Sequence, residues 1–167
     1  MVPKNVQYLA LAVGVLILAV ILAVSFWPKG VPDPPEVLEE RIVSGESVEQ
    51  RAQAARDMIY HGEEARGYAG EALSRYERSE PEVLVPLVQS VQKARDWRSI
   101  PRLFELMEHP DPLIRGKAGA AASKIMGADY FFRANDPPEK RAEALALMKT
   151  IYGNMGSELQ RCYPYQE

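Results

Sequence analysis

Between Lys4 and Lys29 the chain carries no charged residue. Tyr8 to Val24 reads YLALAVGVLILAVILAV, and counting on through Ser25, Phe26 and Trp27 makes 20 residues. A helix of that length, at about 1.5 Å per residue, spans roughly 30 Å, the thickness of bilayer hydrocarbon. Tyr8 stands at one end and Phe26 and Trp27 at the other, where aromatic rings favour the headgroup interface. A soluble helix this uniformly apolar would need protein on every side. The expectation is an uncleaved signal-anchor helix over about 6–27, within a membrane anchor of residues 1–28.

The rival reading is a cleaved signal peptide. Ala23-Val24-Ser25 offers a small-x-small site and Lys4 a positive start. The apolar stretch is longer than the usual h-region of roughly 7–15 residues, which favours the anchor. No cysteine follows the run, so a lipoprotein anchor is excluded. Ala10 with Gly14, and Ala19 with Ala23, make small-xxx-small steps. In an alanine-rich span such steps also arise by chance. A short positive start ahead of an apolar run behaves as a signal-anchor, with the bulk of the chain exported. For a bacterial protein this means the inner membrane, with the helical part on the periplasmic side.

Residues 29–35 follow as a linker. Pro28, Pro32, Pro34 and Pro35 cannot continue a helix and favour a stiff, extended spacer. Over the whole chain 20 Lys and Arg stand against 23 Asp and Glu, a net charge of −3. Without residues 1–30, which hold Lys4 and Lys29, the net is −5. That balance argues against a nucleic-acid partner. One cysteine, Cys162, excludes an internal disulfide framework and a multi-cysteine zinc site, and His61 and His109 are too few for a histidine-rich metal site.

From residue 36 the apolar residues recur at helical spacing, and no stretch alternates long enough for a sheet. Breakers divide the pattern into seven helices: 37–43, 48–60, 63–78, 82–94, 100–108, 112–126 and 138–152. Ser47, Ser79, Asp111 and Asp136 stand where caps are expected, and Gly127 and Gly153 where helices should stop. Short connections mean antiparallel neighbours. The expected pairs are 36–60, 63–94 and 99–126, with a terminal pair at 129–152.

A register of Arg, then Ala three residues on, then a small or apolar residue three further, recurs along these helices. It reads Arg66-Ala69-Ala72, Arg115-Ala118-Ala121 and Arg141-Ala144-Leu147, with Arg51-Ala54-Ala55 as a shortened form. A narrow alanine stripe lets a neighbouring helix pack closely, as stacked helical repeats require. The clearest unit runs from Ser99 to Gly127. Its first helix offers Ile100, Leu103, Leu106 and Met107, with Pro101 early. Its second carries Asp111, Ile114, Arg115, Ala118, Ala121, Ala122 and Ile125 before Gly127.

This unit resembles the HEAT repeat family, whose second-helix signature is an Asp in the turn, a Val/Ile-Arg pair, spaced alanines and a terminal Leu/Ile with Gly. The likeness is weaker over 36–98 and weakest after Gly127. It implies an all-α chain in which the anchor precedes a short α-α superhelix over 36–155, followed by a tail at 156–167. It also implies that Asp111 caps its helix and that Asp111 and Arg115 form a ladder between neighbouring repeats. The family's usual role, binding protein partners or scaffolding assemblies, points to a non-catalytic accessory subunit or assembly factor of a membrane complex. Two alternatives stand beside it. HEAT-like solenoids also occur in lyase-type proteins that handle bilin chromophores, and a cleaved N-terminus would give a secreted binding protein.

No catalytic constellation emerges, and nothing calls for a cofactor. Ser90-Val-Gln-Lys93 fits S-x-x-K but lacks its companion motifs. Gly116-Lys117 lacks the rest of a phosphate loop. Gly67-Tyr-Ala-Gly70 is a bare GxxG on an expected helix with no basic stretch, so chance explains it best. His61 and His109 lie at helix ends, where they can meet terminal carbonyls. Glu39-Glu40 and Glu63-Glu64 read as solvated helix faces. Trp97 is expected to pack at the start of the best repeat. Tyr130, Phe131 and Phe132 are expected chiefly to close the open end of the array. Together with Tyr163 and Tyr165 they are also the candidate partner contacts, since Tyr and Phe are enriched at interface cores. The anchor predicts that the chain recovered from membranes keeps residues 1–30. An intact mass starting beyond Ala23 would instead mark cleavage.

Overall fold

The computed structural model describes residues 32–165, which belong to one unit, Pro32–Glu167. The expected anchor, with Tyr8, Phe26 and Trp27, lies outside the described residues. Among the described residues no helix is long and apolar enough to cross a membrane. Seven α-helices and no strands are present there: α1 Pro35–Ser44, α2 Val48–Met58, α3 Tyr68–Arg75, α4 Pro81–Ala94, α5 Ile100–Leu106, α6 Pro112–Met126 and α7 Pro138–Cys162. Two 3-10 segments, Ile59–Ala65 and Trp97–Ser99, precede α3 and α5.

The helices form stacked antiparallel pairs. α1 packs on α2, α3 on α4 and α5 on α6. Between pairs, α2 packs on α4 and α4 on α6, while α1 meets α3 and α3 meets the second 3-10 segment. Leu38, Ile42, Leu73, Leu87, Val91, Ile100, Leu103, Ile114 and Ile125 fill one continuous core. The alanine stripes lie where the helices meet: Ala54, Ala55, Ala69, Ala72, Ala118 and Ala121 are all buried. On α7 the register differs. Leu145 and Met148 are buried there, while Leu147 stays half exposed.

Side chains tie one pair to the next at a constant separation. Arg51 reaches Glu80, the Gly67 amide reaches Asp96 and Arg95 reaches the Lys124 carbonyl, each 29 residues apart. Arg66 reaches the Ala94 carbonyl at 28 residues, and His61 Nε2 donates to the Asp33 carbonyl at the same interval. Arg66 and Arg95 hold equivalent places: each precedes the first helix of a pair and binds a carbonyl near the end of the second.

Helix ends follow the expectations where the signal is local. Asp111 Oδ1 accepts the Leu113 amide at 2.8 Å, and Gly127 takes a left-handed φ of 83°, so α6 begins and ends as expected. Ser47 accepts the Gln50 amide and caps α2. Elsewhere the structure corrects the reading. The helix expected over 63–78 is only α3, because Gly62 and Gly67 both take positive φ and break the chain before Tyr68. Ser79 caps nothing, and Asp136 gives α7 no side-chain cap. The expected terminal pair is the single helix α7, since residues 129–137 form no helix. That helix runs past Gly153 through Cys162, so residues 156–162 are helix rather than tail. Burial of Leu159 holds this extension, which outweighs roughly 1 kcal/mol for each interior glycine.

Arg51 is 5% exposed, inside the alanine-rich contact of α2 and α4. Its guanidinium meets both Glu80 carboxylate oxygens, at 2.7 and 2.9 Å from Nη2, and donates to the Gly45 carbonyl at 2.6 Å. The Tyr76 hydroxyl donates to the same carboxylate. Tyr76 and then Arg51 hold the Glu80 carboxyl below its ordinary value of 4.5. A carboxylate depressed in the fold contributes stability above its unfolded pKa, and this is lost as pH falls through the folded value. Glu80→Gln is therefore expected to lower Tm at about pH 7 and to differ much less from wild type near pH 3. Thermal denaturation followed by circular dichroism checks this, and an equal Tm gap at both pH values would refute it.

Candidate functional site

After Gly127 the Ala128 amide bonds back to the Ser123 carbonyl, which closes the end of α6. The loop then returns along that helix. Asp129 Oδ1 accepts the Phe131 amide at 2.8 Å, and Asp129 Oδ2 accepts from Arg133 Nη2 at 3.0 Å. Arg133 first, and then the Phe131 amide, hold the Asp129 carboxyl below its usual range. Further on, the Ala134 carbonyl accepts from Arg115 Nη2 at 2.9 Å.

This loop divides the three aromatic residues. Tyr130 and Phe132 are buried in the core. The Phe132 ring presses on α6 at Gly119, where a Cβ would stand 2.6 Å from Cδ1, so only glycine leaves room for it. Phe131 goes the other way. Its backbone has a φ of 59°, and its side chain is 74% exposed. Left-handed backbone costs a bulky residue about 1–2 kcal/mol. Two rings therefore pack into the core, and the third is held out in solvent on strained backbone.

A second feature lies between α3 and α5. A groove of about 550 Å³ is lined by Gly70, Ser74, Asp96, Arg98, Arg102 and Tyr165, among others. Asp96 is its buried charge, only 1% exposed. Asp96 Oδ2 accepts the Gly67 amide at 3.0 Å, and Oδ1 accepts the Tyr165 hydroxyl. A Cβ on Gly70 would stand 2.4 Å from Asp96 Oδ2 and 2.3 Å from Ser99 Oγ. The pair Gly67 and Gly70, expected to be a chance match, thus has a structural purpose: one glycine turns the chain at a φ of 93° and the other admits the carboxylate.

The segment after α7 lies on the edge of this groove. Trp97 Nε1 donates to the Tyr163 carbonyl at 3.1 Å, and Arg66 Nη1 donates to the Pro164 carbonyl at 2.8 Å. Arg98 stands 3.9 Å above the centre of the Tyr165 ring, and Trp97 meets that ring edge-on at 5.9 Å. Burial, and then the bond to Asp96, push the Tyr165 phenol far above its ordinary value. Tyr163 lies between Arg66 and Arg95, 5.8 and 5.7 Å from its ring centre. Tyr163 and Tyr165, two of the candidate partner contacts, are thus engaged within the chain.

The remaining candidates have structural places. Ile114, Ala118, Ala121 and Ile125 line the core. The side chains of Asp111 and Arg115 do not bond each other: the Asp111 carboxylate caps α6, and the Arg115 guanidinium turns to the carbonyls of His109, Pro110 and Ala134. His109 Nδ1 accepts the Asp111 amide rather than meeting a helix-end carbonyl. Ser90 is buried and donates to the carbonyls of Ala55 and Pro86. Glu39 and Glu40 pair with Arg75. Cys162 is exposed. Trp97 packs against the core as expected. Sequence reasoning missed Asp96. Its only signal is the pair of glycines 29 and 26 residues before it, which becomes legible once the 28- or 29-residue spacing of the polar ties is seen.

No protein-family model matches the chain, and no curated protein or solved structure is significantly similar to it. The division of the aromatic loop has a measurable consequence. Phe132→Ala is expected to destabilise the fold by about 3–5 kcal/mol. Phe131→Gly is expected to change stability by no more than about 1 kcal/mol, because lost strain offsets gained chain entropy. Denaturant unfolding of both variants checks the contrast, and equal losses would refute it.

Proposed function

We propose that the chain is a membrane-tethered helical-repeat scaffold that docks a protein partner through Phe131. The reading takes residues 1–28 as an uncleaved anchor and the helical unit as a short α-solenoid of the HEAT type. Its place would be a bacterial inner membrane, with the helices on the exported side and a role as accessory subunit or assembly factor. The apolar run Tyr8–Trp27 supports the anchor. Polar ties spaced at 28 or 29 residues support a repeat architecture, because each unit bonds the next in one register.

The observation that carries the docking role is Phe131. A large aromatic ring held in solvent on left-handed backbone does nothing for the fold that displays it. Buried in a partner's pocket, such a ring makes a strong anchor, since aromatic hot spots commonly contribute at least about 2 kcal/mol. Asp129 and Arg133 fix the loop beforehand, so little entropy is lost when the ring docks.

The test is purification of the full chain from membranes in mild detergent. A stoichiometric protein partner is expected, and Phe131→Ala should weaken its retention by at least about 30-fold while leaving the helical spectrum intact. A full-length chain that purifies as a folded monomer with no stoichiometric partner would sink the proposal.

A further inference from the structure

Where α4 and α6 end, two adjoining grooves share Arg95 and Lys124 as lining residues. The first, of about 380 Å³, is lined by Ile59, Gln89, Gln92, Lys93, Arg95 and Lys124. Three of these six are cations and none is acidic. The second, of about 500 Å³, adds one carboxylate, Asp129, which Arg133 already binds at 3.0 Å. Elsewhere Arg51, Arg75 and Arg102 each pair with a carboxylate. Among the described residues no carboxylate pairs with Lys93, Arg95 or Lys124. This positive cluster stands in a part of the chain, residues 31–167, whose net charge is −5. Like charges gathered in one cleft repel, and no anion of the described fold offsets that cost.

Arg95 is fixed in its place. It ends α4 on left-handed backbone with a φ of 55°, where α6 ends on Gly127 in the same conformation. Its Nη1 donates to the Lys124 carbonyl at 2.6 Å, and its guanidinium stands 5.7 Å from the centre of the Tyr163 ring. Neither contact neutralises its charge. Gln89, Gln92 and Lys93 share one face of α4, at the i, i+3, i+4 spacing that makes helix neighbours. That face sets two amide groups beside the Lys93 amine.

We propose that these grooves receive an acidic, extended segment of a partner protein. Its carboxylates meet Lys93, Arg95 and Lys124, and its backbone meets the Gln89 and Gln92 amides. Resting on the docking role given to Phe131, the grooves name the chemistry that the partner presents: an acidic run beside the pocket for the ring. Asp129 joins the two features, since it lines the second groove and accepts the Phe131 amide at 2.8 Å. A cleft lined by one sign of charge concentrates and orients an oppositely charged segment. An anionic membrane surface is a poorer occupant. It is broad and meets cations that stand clear of the fold, whereas Arg95 is partly buried and tied to a carbonyl.

The probe is a fluorescent peptide of alternating Ser and Glu, about ten residues long and roughly 33 Å when extended. It is titrated at low salt against the full-length chain in detergent. Lys93→Glu with Lys124→Glu should weaken binding at least about 10-fold. Lys140→Glu with Lys149→Glu, two exposed positions on α7, gives the same net charge and should weaken it less than about 3-fold. A peptide with Gln in place of every Glu should not bind. The peptide has no aromatic residue, so the Phe131→Ala chain should bind it as wild type does, and the two readings fail separately. The proposal is overturned if both double variants lose binding equally, since only net charge then matters, or if the Gln peptide binds as well. It is equally overturned if phosphatidylglycerol in the micelle displaces the peptide where phosphatidylcholine does not, since the occupant is then a lipid surface. A concentration-dependent dimer of wild type that Lys93→Glu with Lys124→Glu disperses would overturn it too, in favour of a second copy.

Discussion

A guanidinium with almost no access to water, Arg51, sets the geometry of the first two helix pairs. Buried charge is tolerated only with partners on every donor, and Arg51 finds them on both sides of the interface. Gly45 supplies a carbonyl from the turn before α2, and Glu80 supplies a carboxylate from the start of α4. Several local features follow. Gly45 carries no side chain because a Cβ there would meet the Arg41 carbonyl at 2.6 Å and Arg51 Cγ at 3.0 Å. Glu80 stands at the N-cap of α4 but turns to Arg51, so α4 opens on Pro81, which needs no amide partner. Tyr76 leaves the helical path to reach the same carboxylate, and α3 stops at Arg75.

The same economy recurs along the chain with lighter ties. Arg66 and Arg95 satisfy the open carbonyls at the ends of α4 and α6, groups that helix geometry leaves without partners. Each tie joins residues one period apart, so the polar contacts and the alanine stripes specify the same stacking. Agreement between close packing and hydrogen bonding is what gives a short helical array one structure rather than several. Tyr76 shows the environment these contacts create. Burial first, and then the bond to Glu80, push its phenol up to about 12.

What could be read from the sequence was what local chemistry determines. Helix α6 was legible at both ends because Asp111, Pro112 and Gly127 act within one turn. The segment 63–78 was not, because its break at Gly67 answers to Asp96, far along the chain. The run past Gly153 was hidden for the same reason, since burial of Leu159 depends on tertiary contact. Of the candidate contacts, the group Tyr130, Phe131 and Phe132 was visible as a group. Which ring would face outward was not, because that depends on Asp129 folding back on the loop and on the space left by Gly119.

Where the period fails, the chain does something else. Arg115 bonds the Ala134 carbonyl only 19 residues on, rather than a group 28 or 29 residues away. Residues 129–137, which follow α6, form no helix of a fourth pair. The chain turns back along α6, with Phe132 against Gly119 and Ala134 beside Gly116, and reaches α7 as a lone helix. That reversal forces one residue through left-handed backbone, and the residue placed there is phenylalanine rather than glycine. Glycine would take the same φ without strain. A bulky ring here, like Arg95 with its φ of 55°, departs from the pattern that Gly62, Gly67 and Gly127 follow, and departures of this kind are expected at functional or strained sites.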